Sequence, residues 1–73
     1  MYVVTLNKIT NGQQSNEEIL ATEDKQEAEL AFAGTLLGLR YEYKEKHTGE
    51  FIIKDKVKIK FDKTIITLTL KRR

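Results

Sequence analysis

The chain has 73 residues, a net charge of +2 and no cysteine, tryptophan or proline. This length allows one modest core, so we assign residues 1–73 to a single small domain, and the absence of cysteine excludes disulfides and thiolate nucleophiles. No apolar run reaches the roughly 20 residues of a membrane-spanning helix, and the N-terminus lacks the features of a signal peptide, which indicates a cytoplasmic protein without membrane contact.

The first predicted element is a β-hairpin. Residues 2–9 are rich in β-branched and aromatic side chains, and Asn11-Gly12 is a strong turn signal because both residues tolerate positive φ. A two-residue turn pairs Val4 with Ile19, so the second strand is expected at about 16–21. A longer loop before this second strand is the alternative.

One amphipathic helix is predicted over residues 23–37. Thr22 is expected as its N-cap, because a hydroxyl can accept a hydrogen bond from an unpaired N–H of the first turn. Gly38 is expected to end the helix in the left-handed conformation. The apolar positions recur at helical spacing, so one side should pack on the sheet. These positions are Ala28, Ala31, Phe32, Thr35 and Leu36.

Three more strands are predicted after the helix. A strand over about 39–46 should pair, through a loop at 47–49, with a strand over 51–61. Apolar residues and lysines alternate along the second of these strands, which predicts one apolar and one basic face. Asp55 interrupts the alternation and marks either a bulge or a break into two strands.

The last predicted strand covers residues 64–70 and follows a two-residue turn at Asp62-Lys63. This turn pairs Ile59 with Ile66 and brings the apolar side chains to one face. The basic residues 71–73 are expected to fray. The predicted fold is α+β, in the order β-β-α-β-β-β, with one amphipathic helix on one face of an antiparallel sheet.

The other face of the predicted sheet is rich in lysine. The first 38 residues carry two basic and six acidic side chains, whereas the last 35 carry eleven basic and five acidic ones. Such a surface can bind phosphates or attract an acidic partner, although a solvated sheet face without a function would also be polar. The basic residues expected there are Arg40, Lys44, Lys46, Lys54, Lys56, Lys58, Lys60 and Lys71.

Residues suited to catalysis are sparse. His47 is the only histidine and falls in a predicted turn, where a solvated side chain is the commoner role. The sequence has no cluster with metal-ligand spacing and no phosphate-binding glycine motif. Solvation and the helix dipole explain the acidic pairs Glu17-Glu18 and Glu23-Asp24. We therefore expect no enzyme, cofactor, metal or small-molecule substrate.

These features favour a small non-enzymatic protein that acts through contact with another protein. Nucleic acid binding through the lysines is the alternative; it is disfavoured because the basic face lacks aromatic side chains for stacking and arginine is scarce. The composition is typical of bacterial and phage proteins, so we expect an accessory or regulatory protein of a phage or mobile element. A homodimer through an edge strand is also open, with Ile65 pointing outward from the last strand.

Overall fold

A computed structural model describes residues 1–43, 49–53 and 55–73, without the side chains of residues 49–51, 53 and 61. In these residues one helix packs on an antiparallel sheet, as predicted. The elements are β1 (Tyr2–Thr10), β2 (Gln13–Thr22), α1 (Lys25–Glu42), β3 (Gly49–Ile53), β4 (Lys56–Phe61) and β5 (Thr64–Arg72). The strands lie side by side in the order β2-β1-β5-β4-β3.

The first hairpin has the predicted turn and, from Thr10 to Thr5, the register that this turn implies, but the register shifts by one residue at Val4. Asn11 and Gly12 have φ angles of 52° and 81°, as a two-residue turn at these residues requires, and β2 begins directly after them. The predicted pairing of Val4 with Ile19 is wrong, because a bulge makes Ile19 an extra residue and pairs Val4 with Leu20. The bulge brings Leu20 level with the buried Val4, while Ile19 also packs against the core.

The helix begins later than the sequence predicts. Its N-cap is Asp24, whose carboxylate accepts hydrogen bonds from the N–H groups of Gln26 at 2.9 Å and Glu27 at 3.4 Å. The prediction of Thr22 as N-cap is wrong, because β2 extends to this residue and its hydroxyl instead accepts from the N–H of Asp24. Asp24 is thus the extended residue from which the first helical turn starts.

The helix also ends later than predicted. Gly38 lies inside α1, and Tyr43 is the C-cap, with its N–H donating to the carbonyl of Leu39 at 3.0 Å. Leu39 is only 8% exposed and packs in the core, so burial of this side chain favours another helical turn despite the low helix propensity of glycine. The predicted strand over 39–46 is therefore wrong up to Tyr43. Residues 44–48, including His47 in its predicted loop, lie outside the described residues.

The strand predicted over 51–61 is two strands. β3 and β4 pair antiparallel on either side of Asp55, with Ile53 opposite Lys56 and Ile52 opposite Val57. Of the two alternatives at Asp55, the break is therefore correct. The carbonyl of Asp55 accepts a hydrogen bond from the N–H of Leu70 at 2.8 Å, which fixes the turn to the adjacent strand.

The hairpin of β4 and β5 has the predicted register. Ile59 pairs with Ile66, and Val57 with Leu68, around a turn in which Asp62 has a φ of 49°. These four side chains are buried at 1–5% exposure and form a core with Val4 and with Ala28 and Leu39 of the helix. The helix packs across β2, β1 and β5.

The C-terminal residues are part of the sheet, so the predicted fraying is wrong. β5 pairs with β1 along its whole length, and the N–H of Arg73 donates to the carbonyl of Met1 at 2.7 Å. β5 is consequently the central strand, between β1 and β4. The prediction of Ile65 on an exposed edge strand is wrong for the same reason, and in the described sheet the edge strands are β2 and β3.

Candidate functional site

The sheet has one face covered by the helix and one open face. Along β5, Ile66 and Leu68 are buried beneath α1, whereas the alternate residues Thr67 and Thr69 are only half-buried and face away from it. The open face consists of the side chains that alternate in step with Thr67 and Thr69 along β5, together with their pairing partners on the neighbouring strands. Its described side chains include Thr5, Asn7, Ile9, Asn16, Glu18, Lys56, Lys58, Lys60, Ile65, Thr67, Thr69 and Lys71.

Four exposed lysines lie close together on the open face and are called the lysine cluster: Lys56, Lys58, Lys60 and Lys71. Three of them alternate along β4, so their Cα atoms are about 7 Å apart. Lys71 follows two residues after Thr69, which is the pairing partner of Lys56. Ion pairs among the described residues join Lys25 to Glu29 and Arg73 to Glu18, so no described carboxylate neutralises the cluster. This part of the surface is strongly positive.

The other predicted members of the basic face are not all at this site. Arg40 lies in the last turn of α1, on the opposite side of the sheet, so its predicted place on the open face is wrong. The cause is the longer helix, which replaces the strand that would have carried this residue. Lys44, Lys46 and Lys54 lie outside the described residues.

Arg73 belongs to the open face although the sequence did not indicate it. Its guanidinium lies 3.8 Å from the carboxylate of Glu18 on β2, so the ion pair reaches across β1 at the level of Val3. Val3 is 1% exposed even though it is on the open face. Only the pairing of β1 with β5 brings these residues together, and no local pattern in the sequence reveals that pairing.

The half of the open face on β1 and β2 is polar and nearly neutral. The side-chain amide of Asn7 donates a hydrogen bond to the side-chain carbonyl of Asn16 across the two strands. Glu18 is the one acidic residue of the described open face, and it is paired with Arg73. The positive charge is therefore concentrated over β4 and the end of β5.

A depression of about 260 Å³ lies on the helix side of the sheet. Its charged residues Lys8, Glu17 and Glu42 are exposed, so water solvates them. The described residues contain no group of three histidine, aspartate or glutamate side chains that could hold a metal ion. The depression is lined by Leu6, Lys8, Ser15, Glu17, Leu39, Glu42, Tyr43 and Ile66.

The solvent side of α1 carries an apolar surface that we call the outer stripe: Leu30, Gly34, Leu37, Gly38 and Tyr41. The leucines and the tyrosine are 68%, 64% and 75% exposed. A Cβ atom added at either glycine would meet nothing within 4 Å. Each glycine costs a helix about 1 kcal/mol relative to alanine, and the fold of one chain does not require either. The spacing of these residues is visible in the sequence. The predicted helix ended at residue 37, however, so Gly38 and Tyr41 were not assigned to it.

Comparison of the chain with protein-family models, with curated proteins and with solved structures finds no match. In the part of the chain that the structure describes, no helix has the length and apolar character needed to cross a membrane. The surfaces of the molecule are therefore the basis for a functional proposal.

Proposed function

We propose that this chain is a small non-enzymatic binding protein that contacts an acidic surface of another protein through the lysine cluster. The observation that supports this function is the set of four exposed lysines without an ion pair to any described carboxylate. Positive charges that no described carboxylate pairs with attract an acidic partner over several ångströms and orient its approach.

The surroundings of the cluster suit a protein partner better than a nucleic acid. Thr67 and Thr69 lie beside the lysines and offer hydroxyl groups for hydrogen bonds. Base recognition depends most often on arginine, and the described open face offers little of it. Its arginine, Arg73, is already paired with Glu18. Contact with a carboxylate-rich protein surface needs neither stacking nor base recognition.

Charge reversal of the cluster tests this function. The variant Lys56→Glu/Lys58→Glu/Lys60→Glu should lose an acidic protein that the wild-type chain retains from an extract of its native cells, because attraction becomes repulsion. Quantitative mass spectrometry of the retained proteins, with salt raised from about 50 to 200 mM, measures this loss.

The matched control is Lys8→Glu/Lys25→Glu/Lys63→Glu, which has the same net charge but leaves the cluster intact. This control should retain the partner at the wild-type level. Equal loss in both variants would show that only net charge matters and would contradict a site at the cluster.

Nucleic acid binding through the same lysines is the second candidate, supported by the same unpaired charges. If all four contact phosphates, the logarithm of the binding constant should fall with the logarithm of salt concentration with a slope of about −3.6 for duplex DNA. Fluorescence anisotropy with labelled duplex and single-stranded oligonucleotides measures the slope. No binding at about 50 mM salt would exclude this candidate.

An accessory or regulatory role in the cytoplasm, in a phage or mobile element, is part of the same proposal. It rests on the composition, which is rich in lysine, isoleucine, threonine and glutamate. The genes that surround the coding sequence test it, and a neighbourhood of housekeeping genes would contradict it.

A further inference from the structure

We propose that the outer stripe of α1 binds a second copy of this chain, with the two helices antiparallel. Leu30, Leu37 and Tyr41 follow one another at intervals of seven and four residues, so they lie on one side of the helix. This side is opposite Ala28 and Leu39, which are buried on the sheet. The helix is thus apolar on both sides, although the described residues of one chain bury only one of them.

The two glycines give this surface its shape. Gly34 and Gly38 lie one helical turn apart beside the exposed leucines, and the space next to both is empty in the single chain. Small residues at this spacing leave a groove on the helix surface that large side chains of a second helix can enter, with many van der Waals contacts. The outer stripe is therefore a row of large side chains next to a shallow groove.

The surface is complementary to itself when the second helix runs in the opposite direction. One register places Leu37 of each copy over Gly34 of the other, so by symmetry a large side chain fills the gap at each of the two glycines. The same register places Leu30 beside Tyr41 of the second copy.

The charges on the flank of the stripe select the antiparallel direction. Glu29 and Arg40 are both exposed and lie along the same flank. In the antiparallel register, Arg40 of one copy and Glu29 of the other are only about 3 Å apart along the helix axis. In a parallel pair with the same residues in contact they would be about 16 Å apart. Only the antiparallel pair brings these opposite charges of the two copies to the same level along the helices.

Sedimentation equilibrium of the 73-residue chain tests the dimer. We expect a reversible monomer–dimer equilibrium with a dissociation constant between about 1 and 100 μM, and Gly34→Leu should raise this constant about 100-fold by filling both gaps. Leucine favours a helix more than glycine does, so circular dichroism should show that the variant remains folded. A monomer at all concentrations up to about 500 μM would overturn the proposal.

Two controls separate the outer stripe from other surfaces. Lys63→Leu adds the same side chain at an exposed position away from α1, in the turn before β5, and should keep the wild-type dissociation constant. Lys58→Glu alters the open face and should also leave the dimer unchanged, because α1 covers the opposite face. A dimer that survives Gly34→Leu or is lost in Lys58→Glu would contradict the proposed interface.

Disulfide trapping tests the direction of the helices, since the chain has no cysteine of its own. An oxidised mixture of Gly34→Cys and Leu37→Cys should yield mainly the disulfide between the two different variants, because that pair lies at the same level in the antiparallel register, whereas identical positions are about 4.5 Å apart along the helix axis. The three possible products differ in mass. A majority of disulfides between identical variants would overturn this register.

Discussion

Asp24 is placed two residues beyond β2, where the chain must change from extended to helical. Its carboxylate accepts two backbone hydrogen bonds of the first turn, and Glu27 follows in that turn near the positive end of the helix dipole. Thr22 offers the same kind of oxygen but is held in the sheet. The sequence contained both candidates, and only the length of β2 decides between them.

The cap at Asp24 gives a prediction for a single residue. Asp24→Ala should lower the free energy of unfolding by about 1 kcal/mol, because it leaves N–H groups of the first turn without a partner. Asp24→Asn keeps an acceptor and should stay within about 0.5 kcal/mol of the wild type. Urea denaturation measures both, and a larger loss for Thr22→Ala than for Asp24→Ala would contradict the cap.

Among the elements, those defined by local turn chemistry could be predicted and those defined by packing could not. Asn11-Gly12 and Asp62-Lys63 form their predicted turns because asparagine, glycine and aspartate tolerate positive φ. The end of α1 could not be predicted, since Gly38 is a stop signal that the burial of Leu39 overrides. The bulge at Ile19 likewise accompanies the packing of this side chain against the core, which the turn does not determine.

The candidate site could also be predicted only in part. The alternation along β4 placed Lys56, Lys58 and Lys60 on one face, because it depends only on the period of a strand. Arg40 was misplaced by the error in the helix end. Arg73 was missed because the neighbours of β5 are set by the whole sheet and not by adjacent residues.

Gly38 in the helix α1 and Gly12 in the turn between β1 and β2 should respond in opposite ways to replacement by alanine. Gly38→Ala should raise the free energy of unfolding by up to about 1 kcal/mol, because alanine favours a helix and no atom obstructs its Cβ. Gly12→Ala should lower it by about 1 kcal/mol, because its φ of 81° is unfavourable for alanine. Thermal unfolding at a low protein concentration, where the monomer predominates, measures both. Destabilisation by Gly38→Ala would contradict its place inside α1.

At the scale of the whole molecule, stability is concentrated along the middle of the sheet. Leu68 on β5 is 1% exposed beneath the helix, whereas Ile52 on the edge strand β3 is 56% exposed. The lysine cluster lies on the open face of the sheet, and the outer stripe lies on the solvent side of α1. Both proposed binding surfaces are therefore outside the core. The interior and the binding surfaces can therefore be altered separately.

This distribution predicts unequal effects of truncating two large aliphatic residues. Leu68→Ala should lower the free energy of unfolding by about 2–5 kcal/mol, because it leaves a cavity under α1. Ile52→Ala should cost less than about 1 kcal/mol, since water already reaches much of its side chain. Chemical denaturation measures both losses, and equal losses would contradict the central place of β5.

The central position of β5 also constrains how the chain can fold during its synthesis. β1 is made first, but its inner neighbour follows more than fifty residues later. A nascent chain that has formed the first hairpin and the helix still exposes one side of β1, with its backbone N–H and carbonyl groups unpaired. That side is open to other chains until β5 inserts between β1 and β4. We therefore expect this protein to fold slowly for its size and to be most prone to aggregation before β5 emerges from the ribosome.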